Sequence, residues 1–573
     1  MNKQAMSAEP LGIDEVKALR TCSNRYGASW TERKLELLNQ FAARHIVDVN
    51  VLIAYHDCML FLLAYPENRQ LLHLAADELD RIAGIVQSIF DGTNQRKQKQ
   101  LSGTGIACST VHVAFSLDLT AWLADRFPSQ VSIFEFAGEK ETVREILLLL
   151  LPASERESME KKEYLFNKLI QYAKGAKQET DLHWLVTLFQ QNDLKPAFRD
   201  YLFHGLKLYI TWQTDHDSPS RTYARSLPAK IYFQKSEFRK EHAASAIIRM
   251  PVPAAKPISI AEKDHLVTVS RGILAMLHRE TDPSTYAETP EVSYFEMGKG
   301  IAIALYPMTA NRRLPFDTYI GYMLFKNRLP VAYGGGWIFQ RQCKIGINVL
   351  SAFRGGESAF LFLQLMRLYA QHYRVNRFVI EPYQIGYRNM EGLKSGAFWF
   401  YYRMGFVPVE DGLKGTAHAE YEKIRADRNY RTPLSVLKKL SGSNKELILD
   451  GKDNNSIDVL LVSEAITRMI HDRFAGNRQQ AEQEALMFSR KFLHLKTADY
   501  SLPSMAESLK NFSMLLLMLS SSLHGWNEKD KKDFRQLITL KGKGSERKYV
   551  LQFQQHRKLN WSLEDHLAGF ATG

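Results

Sequence analysis

"KIGINVLSAFRGGESAFLFLQLM", residues 344–366, runs through three kinds of local structure. It opens as a strand, passes two adjacent glycines, and continues with apolar residues at helical spacing. A strand that enters a glycine turn and then a helix N-terminus makes a pocket of outward-facing backbone N–H groups. The positive end of the helix dipole adds to that pocket, and together they suit a pyrophosphate. Gly355 and Gly356 let a ligand approach the backbone without interference from Cβ atoms. Along the helix, Gln364, Arg367 and Gln371 share one stripe, while Phe360, Leu361, Leu363, Leu365, Met366 and Leu368 fill most of the rest. The spacing predicts a helix buried on most of its surface.

The segments on either side extend the pattern. Upstream, "VSYFEMGKGIAIALYPM" (292–308), "YIGYMLFKNRLPVAYGGGWIF" (319–339) and "CKIGINVL" (343–350) are rich in β-branched and aromatic residues. Lys326-Asn327 reads as a hairpin break between two of these strands. Within "YGGGWIF" (333–339), three glycines weaken a strand and signal close backbone contact. They either make room for a bound group, or mark a twisted hairpin packed on the helical N-terminal region. Downstream, "RFVIEP" (377–382) is a short strand, and "SGAFWFYYRMGFVPV" (395–409) places five consecutive aromatics before Gly405-Phe406. Meander, glycine turn, helix, strand and helix in this order describe an α/β domain.

The pattern resembles the GNAT superfamily of acyl-CoA-dependent N-acyltransferases. Arg354, Gly355, Gly356, Glu357, Ser358 and Ala359 fall on the six positions of its R/Q-x-x-G-x-G/A signature. Tyr401, Gly405 and Phe406 match its Tyr-x-x-x-Gly-Phe helix end, and "RFVIEP" lies between the two, as that fold requires. The chain also looks like large, poorly characterised bacterial proteins in which such a core is flanked by helical regions. The resemblance implies an α/β GNAT-like core, a mixed sheet with flanking helices, between mainly α-helical N- and C-terminal regions. The expected divisions are 1–215, a basic proline-containing linker at 216–258, the core at 259–430, and 431–573.

The resemblance further implies direct transfer of an acetyl or other acyl group from an acyl-CoA co-substrate to an amine acceptor, with no metal. Residues 354–359 would then hold the pyrophosphate, and Asn389, in the long connection 383–393, the pantetheine arm. A backbone N–H near Val349 or Leu350 would hold the thioester carbonyl, and Tyr401 would protonate the leaving thiolate. Glu381 is the nearest core carboxylate by topology. It is either the general base or a structural partner of Arg377 or Arg388. Tyr294, Tyr333 and Tyr387 are candidate walls for the acceptor. Glu357 departs from the signature, standing where its first glycine is usual. Turned inward, its carboxylate would occupy the anion site; turned outward, it would leave the N–H groups free.

The bulk composition sets outer bounds. At 573 residues, three or four domains are expected, and 45% hydrophobic with 24% charged residues is ordinary for a globular chain. The formal charge of +13 favours an anionic partner. Arg221, Arg225, Lys230, Lys235, Arg239 and Lys240, interleaved with Tyr223, Tyr232 and Phe233, are its candidate surface at 221–240. That surface and Glu357 motivate a second reading, a GNAT-fold protein that does not use CoA. It would be an aminoacyl-tRNA-dependent transferase or an RNA- or polyanion-binding scaffold. Residues 1–215 read mostly as helices, with a turn at Gly103-Thr104-Gly105; "MPVPAAKPIS" (250–259) reads as a linker, "KKLSGSNKELILDGKDNNS" (438–456) as a polar region around one short strand, and the residues from 456 on as helices again. The four cysteines form no CxxC pair, "ILLLLL" (146–151) and "MLLLML" (514–519) are too short to span a bilayer, and the first residues carry no signal-peptide core. A cytoplasmic protein without membrane insertion is expected.

Overall fold

The structure, a computed structural model, describes residues 9–161, 166–176, 179–239, 243–427, 429–451, 457–496 and 500–568. It is a mixed α/β fold with helical regions at both ends. Three short strands, β1 (Thr110–Val113), β2 (Val131–Phe136) and β3 (Leu208–Gln213), form a small antiparallel sheet in the order β1-β3-β2. Helices between residues 117 and 205 pack on it around a separate apolar cluster that includes Trp212, Leu185 and Phe189. The N-terminal region therefore holds a sheet that helical periodicity alone does not announce.

The main sheet contains β4 (Ser293–Gly298), β5 (Ile301–Tyr306), β6 (Thr318–Lys326), β7 (Leu329–Phe339), β8 (Gln342–Ile345), β9 (Asn348–Val349), β10 (Arg377–Ile380), β11 (Val407–Pro408) and β12 (Lys445–Ile448). The order is β11-β12-β10-β8-β7-β6-β5-β4, with β9 paired to β7. The hairpin between β6 and β7 turns on Asn327 and Arg328, both left-handed at φ 46° and 72°. Such a turn matches the right-handed twist of the strands it joins. β12 comes from beyond residue 430, yet it lies between β10 and β11, antiparallel to both. The sheet thus crosses the expected boundary between core and C-terminal region.

Three helices position the site. Helix α1 (Val49–Ala64) is capped by Asp48, whose carboxylate accepts from the N–H groups of Asn50 and Val51. It is apolar around most of its circumference, and twelve of its residues are buried. Helix α2 (Ser358–His372) follows the glycine turn, and helix α3 (Ala397–Tyr402) carries the aromatic run. The polar stripe predicted on α2 is a docking strip rather than a solvated face. Arg367 donates to the carbonyls of Met250 and Pro251, and Gln371 to those of Ile248 and Met250. These bonds satisfy carbonyls of the proline-rich linker that no sheet or helix would otherwise pair.

The helices at both ends share the core of the main sheet. At the C-terminal side, Arg313 donates to the carbonyls of Leu540, Lys541 and Gly544, and the Tyr549 hydroxyl to that of Phe316. No helix among the described residues is long and apolar enough to cross a membrane.

Candidate active site

β8 pairs with β7 on one side and with β10 on the other. The β10 pairing is parallel, matching Arg377 to Gln342, Phe378 to Cys343 and Val379 to Lys344, and there it stops. After Gly346 and Ile347 the chain resumes as β9, still on β7, with Tyr333 opposite Asn348 and Ala332 opposite Val349. β10 ends at Ile380 and turns at Pro382. The two parallel strands therefore diverge, and a fork opens between them.

Ladder geometry decides which backbone groups face the fork. Leu350 donates to the Val331 carbonyl at 3.0 Å, so the Ala332–Val349 pair is a non-hydrogen-bonded one. The N–H and C=O of Val349 point away from β7, into the fork, and by the same alternation so do those of Ile347. Of the two sequence candidates for holding a carbonyl oxygen, Leu350 is spent within the sheet and Val349 is placed to donate. This corrects the expectation for Leu350.

Tyr401 is buried at the fork, with the Ile347 N–H near its hydroxyl. Burial pushes the Tyr401 pKa well above the ordinary phenol value, and the nearby Ile347 N–H works in the opposite direction. The ring packs edge-on to Phe362 and Phe406, which fix it at the fork. On the neighbouring residue of the same gap, Tyr322 of β6 donates its hydroxyl to the Gly346 carbonyl.

That contact explains the triple glycine. A Cβ on Gly334 would lie 2.5 Å from the Tyr322 hydroxyl, one on Gly335 2.2 Å from the Tyr319 ring, and one on Gly336 2.6 Å from the Tyr369 ring. The space at these glycines is filled by the protein's own rings, and the hairpin packs on the N-terminal region, where Asn327 donates to the Ala64 carbonyl. Trp337 stacks on Tyr319 at 4.0 Å and stays 36% exposed.

Glu381 ends β10 with its side chain 49% exposed. Its nearest cation is Lys344 at 3.5 Å, rather than Arg377, which pairs with Glu446, or Arg388. Lys344 is held more closely by Asp458 at 2.9 Å, from the start of the C-terminal helices. Burial would lower the Lys344 pKa, but these two carboxylates raise it above the usual lysine range. Strand alternation puts Glu381 with Lys344 and Trp337 on one face and Tyr322 on the other, and the Tyr401 ring packs on Phe362 of α2. The fork thus has a carboxylate on one side and a phenol on the other.

The glycine turn lies at the end of the same strand. Gly355 is left-handed at φ 84° with open space where a Cβ would be. Glu357 does not cap its own helix, and its carboxylate instead meets the buried Nζ of Lys326 at 2.8 Å. With that charge neutralised and turned aside, the first-turn N–H groups of Ser358 and Ala359 have no intrahelical acceptor. Arg354 is exposed, reaching Glu391 at 3.0 Å and the Val349 carbonyl at 3.4 Å. Asn389 caps the helix Met390–Lys394, accepting from Gly392 N–H and donating to the Tyr383 carbonyl. Its oxygen and one of its two amide hydrogens are used in that turn.

A wall from the N-terminal region was not foreseen. Helix α1 lies over the turn, with Phe61 3.2 Å from where a Gly356 Cβ would be. Arg20 stacks over Phe61 at 3.9 Å and donates to the Arg354 carbonyl at 2.7 Å. Asp57 joins Ser351 at 2.8 Å to Arg221 at 2.6 Å. Burial alone would raise the Asp57 pKa, but Arg221 and the bonds from His56 and Ser351 hold it well below the usual carboxylate range. Arg221 therefore fastens two regions instead of presenting charge to solvent. Lys235 likewise donates to the Glu67 carbonyl, and Lys240 lies outside the described residues. Of the tyrosines expected at the acceptor, Tyr294 is buried against Ser226, Tyr333 accepts from Arg279 at 2.6 Å, and Tyr387 is exposed.

Among the described residues no cluster of three or more His, Cys, Asp or Glu is arranged to hold a metal ion. No family model, no curated protein and no solved structure matches this chain.

Proposed function

We propose that the chain is an acyl-CoA-dependent N-acyltransferase of the GNAT type. The observation that carries this reading is the fork between β8–β9 and β10, with a donor from Val349, a phenol from Tyr401 and a glycine turn at its end. The bound thioester supplies an activated carbonyl. The Val349 N–H is placed to donate to the charge that develops on that carbonyl oxygen. An amine entering from the Glu381 face loses its proton to the carboxylate, directly or through a water, and forms the C–N bond as the C–S bond breaks. Tyr401, on the opposite face, gives its proton to the sulfur. Its raised pKa keeps that proton in place at every working pH. The first-turn N–H groups of α2, with Glu357 neutralised by Lys326, receive the pyrophosphate.

Titration calorimetry of the full chain with acetyl-CoA tests the binding half, with one-to-one stoichiometry expected. Absence of affinity for acetyl-, propionyl- and longer acyl-CoAs would overturn the reading.

A further inference from the structure

Helix α3 has a second face. Trp399 and Arg403 stand one turn apart on it, while the Tyr401 ring packs the other way, on Phe362 and Phe406. Beside that outer face lies a cavity of about 750 Å³. Its walls are the helices Met390–Lys394 and Leu434–Leu440, the end of the helix Asp411–Ala426, and residues 430–432. That volume falls in the usual range of small-molecule sites.

The lining combines apolar side chains with cations. Leu393, Trp399 and Leu437 are buried, and Leu434 is 50% exposed. A leucine left half in water at a concave wall gains when an apolar group covers it. Lys394, Arg403 and Arg431 bring positive charge, and no residue of the lining is acidic. Neither Lys394 nor Arg403 has a carboxylate partner among the described residues. The acids of the neighbouring chain are used locally. Glu420 accepts from Lys423 and from the Tyr430 hydroxyl, and Asp427 from the Asn429 N–H. Arg428 lies outside the described residues and is itself a cation. The Trp399 indole adds an independent sign. It is only 7% exposed, and its N–H meets no acceptor among the described residues. Buried donors in folded chains nearly always have one, so this wall has a hydrogen bond to offer an incoming oxygen.

We propose that this cavity binds a fatty carboxylate, an anionic head on a hydrocarbon tail. Arg403 and Lys394 take the carboxylate, and the leucines take the tail. An inorganic anion would leave the apolar wall uncovered, and a neutral alcohol would leave the two cations unanswered. The inference stands apart from the transferase reading. None of these groups belongs to the fork, and a chain with no affinity for any acyl-CoA would still bind through them.

The test is calorimetric titration of the full chain with hexanoate, octanoate and decanoate, each below its micelle concentration. Affinity is expected to rise roughly threefold to fourfold with each added CH₂. Octanol should bind at least about tenfold more weakly than octanoate. Arg403→Gln, at an exposed position, should leave the unfolding temperature unchanged and weaken octanoate about tenfold while sparing octanol. Leu434→Asn should weaken octanoate and octanol alike. No saturable decanoate binding overturns the proposal, and so does an octanoate affinity that octanol matches or that Arg403→Gln leaves unchanged.

Discussion

Tyr322 and Tyr401 are buried phenols that meet the same two-residue gap between β8 and β9 from different elements. Tyr322 donates to the Gly346 carbonyl, whereas Tyr401 has the Ile347 N–H beside its hydroxyl. The first has spent its proton on the backbone. The second donates to no acceptor among the described residues. Burial raises the pKa of both, so acidity does not separate them; whether the proton is spent within the fold does. The two phenols differ here in who donates.

Replacing each with phenylalanine turns that contrast into measurement. Tyr401→Phe is expected to lower turnover about a hundredfold, with acetyl-CoA affinity nearly intact. Unchanged turnover would remove the phenol from the chemistry. Gly334→Ala drives a Cβ into the Tyr322 ring and should destabilise the fold by roughly 2–3 kcal/mol in denaturant titrations. Tyr322→Phe leaves the Gly346 carbonyl without its donor, costing about 1–2 kcal/mol of stability. Its turnover should fall far less than that of Tyr401→Phe; an equal fall would erase the distinction between the two rings.

A smaller effect concerns a lysine under the same aromatic helix. Lys445 of β12 is buried with no carboxylate partner among the described residues, its Nζ 3.1 Å from the Phe398 ring centroid and bonded to the Phe398 carbonyl. Burial lowers its pKa from 10.5 to about 6. Between those values the unfolded chain binds the proton and the folded chain does not, so stability rises with pH across that window. The cost is fully present below about pH 6 and gone above about 10.5. Lys445→Met should flatten this dependence, as read from chemical unfolding at a series of pH values. An unchanged slope would show that the ring and carbonyl already stabilise the ammonium.

The meander, the turn at 354–357, α2, β10 and the aromatic helix were legible because each is a local pattern of period, glycine and length. The hairpin break fell within a residue of its place, since Asn327 and Arg328 are the pair that turns left-handed. What escaped was long-range. "KELI" lies where one short strand is expected, but only its pairing with Arg377–Ile380 places that strand in the main sheet. Glu381 and Asn389 were noticed as polar residues near a site, but partners at Lys344 and Gly392 decide what they do. Tyr322 carried a signal, an aromatic facing three glycines on the next strand. Reading it requires the register, which places Tyr322 opposite Gly334.

The place of β12 also sets an order of assembly. β10 leaves the ribosome well before Lys445–Ile448, which must later slot between it and β11. Until then β10 presents an open edge of the kind on which other chains add. A fragment cut at residue 430 would keep that edge permanently, so such a fragment should aggregate where the full chain does not.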